Sequence, residues 1–188
     1  MRKLYTGYSY LFLPIVVLLL CISAPGLSLA QEGPTIDTGD TAWMLTSSLL
    51  VLMMTIPGLF LFYGGLVRSK NALGTFMHSF FITALVSIQW VIIGYTLSFG
   101  PDISHFIGGL EWLGLNGVGA APSDVWATTI PHNLFMVYQL TFAVITVALI
   151  TGSFAERAKF STFIIFVLLW TTIIYDPLAH WVWGGGWI

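Results

Sequence analysis

Two aromatic clusters, far apart in the chain, hold the residues best suited to chemistry. Tyr138-Gln139-Leu140-Thr141-Phe142 sets two rings four residues apart, which puts them on one face of a helix. His180-Trp181-Val182-Trp183-Gly184-Gly185-Gly186 sets an indole beside a glycine run. An indole face attracts cations, more strongly once water is excluded, and glycines let backbone or ligand come close. Together these residues could cage a small cation. The other reading is an aromatic belt at a membrane interface followed by a flexible turn, and the residues alone leave both open.

The remaining polar candidates are sparse. Thr46, Ser47 and Ser48 form one group, His78, Ser79, Thr83, Ser87 and Gln89 a second, and Gln139, Thr141 and Thr146 a third. Hydroxyls and small residues inside apolar segments commonly let helices approach or bond across an interface. Gln139, beside Tyr138, is a candidate to line a path, and His78 is expected at an interface rather than in a proton relay. No expected span contains an acidic residue, which argues against a proton pump or ion-coupled antiporter but not against conducting a small neutral molecule. Glu156 lies in a basic turn, where Arg157 or Lys159 would pair with it, and no His-x-x-x-His or similar ligand spacing occurs. The reading is therefore not an enzyme, and it calls for no metal or cofactor.

The elements that must position these residues follow from composition. Only 7% of the 188 residues are charged and 57% are hydrophobic, whereas roughly 25% of a soluble domain is charged. A soluble fold of this length could not cover itself with polar surface. The net charge of -2 and the absence of a basic patch argue against nucleic-acid binding. Beyond the first thirty residues, every Lys and Arg falls in two short gaps, at Arg68/Lys70 and Arg157/Lys159. Such segregation marks a polytopic membrane protein whose basic loops stay in the cytoplasm.

Residues 1–30 read as a secretory signal peptide, with Arg2 and Lys3 in the n-region, Leu11 to Ile22 apolar, and Ser28-Leu29-Ala30 at the cleavage site. The alternative is an uncleaved first helix. Cys21, the sole cysteine, lies within this segment, so the mature chain would hold no disulfide. Four spans are expected at about 41–63, 75–99, 132–154 and 160–175, each near the roughly 20 apolar residues a bilayer needs, with the last stopped by Asp176-Pro177. With the N-terminus outside, both basic loops face the cytoplasm, and Asp37, Asp40, Asp102, Glu111, Asp124 and Asp176 are external. Trp112 and Trp126, in the long Gly-rich segment 100–130, suit the membrane interface.

Three stretches, in order, resemble one family. Thr55-Ile56-Pro57-Gly58-Leu59-Phe60-Leu61-Phe62-Tyr63-Gly64-Gly65-Leu66-Val67-Arg68-Ser69-Lys70-Asn71 is similar to the end of the first helix in ammonium transporters of the Amt/Mep/Rh group. Gly152-Ser153-Phe154-Ala155-Glu156-Arg157 through Phe160-Ser161 resembles the link after their third helix, and Ala179-His180-Trp181-Val182-Trp183-Gly184-Gly185-Gly186 the segment after their fourth. The match runs from about Asp40 to Ile188, and a tryptophan before the glycine run leans toward the Amt/Mep branch.

That resemblance implies an all-α polytopic membrane protein of about eleven helices in two inverted halves, of which this chain would supply the first four. It implies that ammonium is gathered at an external site, deprotonated, and passed as ammonia along a hydrophobic pore. Trp183 would correspond to the tryptophan that recruits the cation, Phe142 to one of two phenylalanines closing the mouth, and Tyr138 to an aromatic beside the site. Potassium has no proton to lose and would be rejected. The family's later Asp-Phe-Ala-Gly-Gly segment and paired pore histidines have no counterpart here, and His78, His105, His132 and His180 do not match them. The chain is thus expected to be an N-terminal portion that does not conduct by itself. The resemblance further implies a homotrimer in a plasma or bacterial inner membrane, with a P-II-type signalling protein as a candidate partner on the cytoplasmic side. An ammonium sensor, with this module fused to a downstream signalling domain, is the alternative.

Overall fold

The computed structural model describes residues 33–154 and 157–188, so the proposed signal segment and Glu156 lie outside the described residues. Among the described residues, four long helices form a bundle, and each is long and apolar enough to cross a membrane: α1 (Thr38–Leu66), α2 (Ser69–Phe99), α3 (His132–Phe154) and α4 (Phe160–Trp183). Asp37 caps α1, its carboxylate accepting the Asp40 N–H at 2.8 Å. The α1–α2 and α3–α4 links are a few residues long, so each pair is an antiparallel hairpin. His78, near the start of α2, meets Phe160 and Phe163 at the start of α4, with ring centroids 5.5 and 4.9 Å away. All four basic residues of the described chain therefore gather at one end of the bundle, called here the basic end.

Three helices each contain one wide π-turn: Met54–Leu59 in α1, Trp90–Gly94 in α2 and Thr171–Tyr175 in α4. In α1 the cause is Pro57, which has no N–H to give to the preceding turn. In α4 the π-turn explains why the helix does not stop at Asp176-Pro177, as its sequence suggests. Pro177 falls at the seam where α-helix resumes, a position where its missing N–H and fixed φ are tolerated, and the helix runs on to Trp183. Asp176 is consequently not in an external loop: it lies within a span-length helix and is 0% exposed.

The core is a seam between α2, α3 and α4, built from Ile82, Val86, Trp90, Val144, Val147, Ala148, Phe163 and Val167, all essentially sealed from solvent. α1 lies against α3 and the start of α2. Tyr63 Oη donates to the Leu149 carbonyl at 2.8 Å, and Gly152 gives its ring room. The outer faces remain apolar and exposed at Trp43, Leu49, Leu61, Phe80, Ile165 and Ile173, a pattern suited to hydrocarbon surroundings.

Between α2 and α3 the chain forms two short antiparallel hairpins, β1 (Asp102–Ile103) with β2 (Ile107–Gly108) and β3 (Pro122–Ser123) with β4 (Ala127–Pro131). They cover the other end of the bundle, the loop end. Thr96 Oγ1 donates to the Gly109 carbonyl at 2.6 Å, and Trp126 Nε1 donates to the Phe99 carbonyl at 2.9 Å. Trp112 stacks on Tyr95 at 5.7 Å and 19°. Both loop indoles are half-buried in packing against helix ends, so they fasten the loop to the bundle.

Candidate functional site

Tyr138 and Phe142 lie in the loop-end half of α3, about 9 and 15 Å along the axis from its start. Their rings meet edge-to-face, centroids 5.0 Å apart at 75°. Neither backbone carbonyl is idle: Thr141 Oγ1 donates to that of Tyr138 at 2.6 Å and Thr146 Oγ1 to that of Phe142 at 2.7 Å. Both rings and the intervening Gln139 are half-buried.

Trp183 ends α4 at the loop end and is 56% exposed. It forms no ring contact with other described residues, so Tyr138 and Phe142 are brought together while Trp183 stands apart. Its position is nevertheless tightly determined. His180, one turn earlier and 0% exposed, has Nδ1 3.0 Å from the Ser98 carbonyl oxygen and Nε2 3.0 Å from Asp102 Oδ1. Trp181 Nε1 donates to the Phe106 carbonyl at 2.7 Å. The turn that leads into the indole is thus tied to the end of α2 and to the β1–β2 hairpin.

The glycine run is a fixed cap. The Gly184 N–H reaches the Ala179 and His180 carbonyls at 3.1 and 2.9 Å, and the Gly186 N–H reaches the His180 carbonyl at 3.0 Å. Gly185 has φ +85°, a backbone conformation that a side chain would strain. A β-carbon at Gly184 would strike the Ser98 carbonyl and the His180 ring. These glycines bring backbone close to backbone; they do not form a loose turn.

Asp102 is the hub of this clasp. The His180 hydrogen bond, then the His105 backbone N–H and the nearby imidazoles, hold its carboxyl below the ordinary carboxylate range, against partial burial, which pushes it up. Its Oδ2 accepts the His105 N–H at 3.1 Å and lies 3.3 Å from His105 Nδ1.

Two buried polar groupings carry no motif. Tyr95 Oη lies 2.6 Å from His132 Nε2, under Trp112. Gln89 Nε2 donates to Asp176 Oδ2 at 2.7 Å and lies 3.1 Å from Thr172 Oγ1. Gln89 is visible in sequence as a polar residue in a span, whereas the sequence around its partner, Asp176-Pro177, suggests a loop. Among the described residues, no group of three or more His, Cys, Asp or Glu side chains could hold a metal ion. At the basic end, Lys70, Asn71, Gly74, Thr75, His78 and Ala158 line an open hollow of about 250 Å³.

The chain is similar in sequence and fold to known proteins. The model of the Ammonium Transporter Family matches residues 42–188. The ammonium transporter of Bacillus subtilis (strain 168) is 60% identical over 150 residues, covering 80% of this chain and 36% of that protein. The ammonium transporter of Aquifex aeolicus (strain VF5) is 49% identical over 154 residues, covering 81% and 36%. The crystal structure of Candida albicans Mep2 superposes with a TM-score of 0.72 at 39% identity, over 81% of this chain and 33% of that one. A structure described as a Sensor Amt Protein, at 24% identity and a TM-score of 0.69, shares the fold alone. The chain spans about a third of the length of the curated relatives it matches, and these carry the names of transporters, not enzymes. With four membrane-length helices among its described residues and a family match over most of its length, the chain is a multi-pass membrane protein and belongs to the ammonium transporter family.

Proposed function

We propose that this chain is the N-terminal part of an Amt/Mep-type ammonium transporter that recruits ammonium at an external aromatic site and conducts ammonia through a hydrophobic pore. Family membership supports the transport reading, and the anchored, exposed indole of Trp183 supports the recruitment site. In this reading Trp183 offers its face to the cation and replaces part of its hydration shell. Phe142 and Tyr138 stand at the mouth of the path, Gln139 beside them, and the apolar interior beyond admits only the neutral molecule. An ion that cannot shed a proton pays its full desolvation cost and is refused.

The topology belongs to the same proposal. The basic end faces the cytoplasm and the loop end faces outward in a plasma or bacterial inner membrane, following the distribution of Arg68, Lys70, Arg157 and Lys159. The complete protein would assemble as a homotrimer, with the basic end open to a P-II-type partner. The test is growth of a yeast strain lacking its own ammonium transporters when it expresses the full-length protein. Growth on low ammonium as sole nitrogen source is expected; no growth, with the protein verified in the plasma membrane, contradicts the proposal.

A further inference from the structure

Asp176 and Gln89 present two buried acceptors without donors. Asp176 Oδ1 and Gln89 Oε1 have no hydrogen-bond partner and are sealed from the surface by this chain itself, so neither atom is open to a group outside the bundle. Asp176 is 0% and Gln89 6% exposed. Both N–H groups of the Gln89 amide are already directed, one to Asp176 Oδ2 at 2.7 Å and one to Thr172 Oγ1 at 3.1 Å. A bare acceptor in such a place costs about 1–3 kcal/mol, and an uncompensated carboxylate more.

Among the described residues, no cation is at hand to compensate a carboxylate. Between Lys70 and Arg157 the sequence contains no lysine or arginine, and Arg157 and Lys159 sit at the basic end. The imidazole one turn further along α4, His180, is engaged by Ser98 and Asp102, and that of His132 by Tyr95. The other titratable neighbour, Tyr175, adjoins Asp176 in sequence and is itself buried. The backbone is arranged for this encounter. Gln89 is the last residue before the π-turn of α2, and Asp176 the first after the π-turn of α4. Each π-turn inserts one residue and rotates the helix beyond it by about 100°. Two such turns flank one side-chain contact, and π-turns concentrate at functional sites.

We propose that Asp176 and Gln89 form a proton-binding site inside the membrane domain, in which Asp176 is held as the neutral acid and donates from Oδ1 to Gln89 Oε1. One proton removes one bare acceptor and supplies the donor the other lacks. It completes a two-bond acid–amide pair of which the Nε2 to Oδ2 bond is one half. The bundle then carries no fixed negative charge at this depth that could trap a cation.

Infrared spectroscopy of the full-length protein in lipid bilayers tests it. At neutral pH the wild type should show the C=O stretch of a protonated, hydrogen-bonded carboxyl that Asp176→Asn removes and Gln89→Leu moves to higher frequency. Asp176→Asn, an isostere of the neutral acid, should keep its thermal midpoint within about 2 °C of wild type. Asp176→Leu, which strands the Gln89 amide, should fall well below it. A wild-type spectrum without the band, a band that survives Asp176→Asn unchanged, or an Asp176→Asn protein as unstable as Asp176→Leu overturns the proposal.

Discussion

Trp183 owes its place to His180, and His180 owes its place to Asp102. This dependence makes the loop end sensitive to acid. The Asp102 carboxyl is held below its ordinary value in the folded protein, so the clasp contributes stability at pH values above the unfolded carboxylate value of about 3.9. That contribution declines as pH falls past this point and is gone below the depressed folded value. Backbone hydrogen exchange across the β1–β2 hairpin should therefore quicken as pH drops from about 6 to about 3, after correction for the intrinsic rate, and Asp102→Asn should flatten this response. Equal acid sensitivity in the two proteins would remove Asp102 from its role as hub. The Tyr138–Phe142 contact was legible in the sequence because a four-residue spacing fixes neighbours on a helix face. The His180 clasp was not, because Ser98 and Asp102 lie 82 and 78 residues away and no local pattern announces them.

The glycine run after Trp183 works as a helix cap whose backbone touches α2. Gly184→Ala should drive a methyl group into the Ser98 carbonyl and the His180 ring, at a cost of about 1–3 kcal/mol, and lower the thermal midpoint by several degrees. Gly119→Ala, where a β-carbon meets nothing within 4 Å, serves as the control and should leave the midpoint unchanged. Equal midpoints for the two variants would mean that the cap tolerates a side chain and positions nothing. The hydrophobic runs reveal that four helices exist, but not where α4 ends. Asp176-Pro177 carries both usual stop signals, an acidic residue and a proline, and the structure overrides them by burying the Asp176 side chain against Gln89 and setting the proline at a helix restart. π-Turns have no hydrophobic period of their own, so the rotation that brings Gln89 to Asp176 leaves no trace in the residue pattern.

Across the whole molecule, the segregation of basic residues is the clearest property of the sequence, and the bundle gathers Arg68, Lys70, Arg157 and Lys159 at a single end. Single-cysteine variants of the full-length protein on a cysteine-free background give a direct test of its orientation. A membrane-impermeant maleimide applied to intact cells should label Asp124→Cys but not Lys70→Cys or Lys159→Cys, and the reverse pattern would invert the proposed topology. The family was legible from three short stretches because their order and spacing, more than any one of them, are distinctive. The pore was not legible, since the resemblance assigns its histidines and its supporting aspartate to later segments of the fold. If Trp183 offers a recruitment surface for ammonium, initial uptake rates against ammonium concentration must differ between full-length wild type and Trp183→Leu. Loss of a cation–π contact of about 0.5–2 kcal/mol should weaken apparent affinity about two- to thirtyfold and change discrimination against methylammonium, with surface expression unaltered. Unchanged affinity and unchanged discrimination in Trp183→Leu would contradict the account.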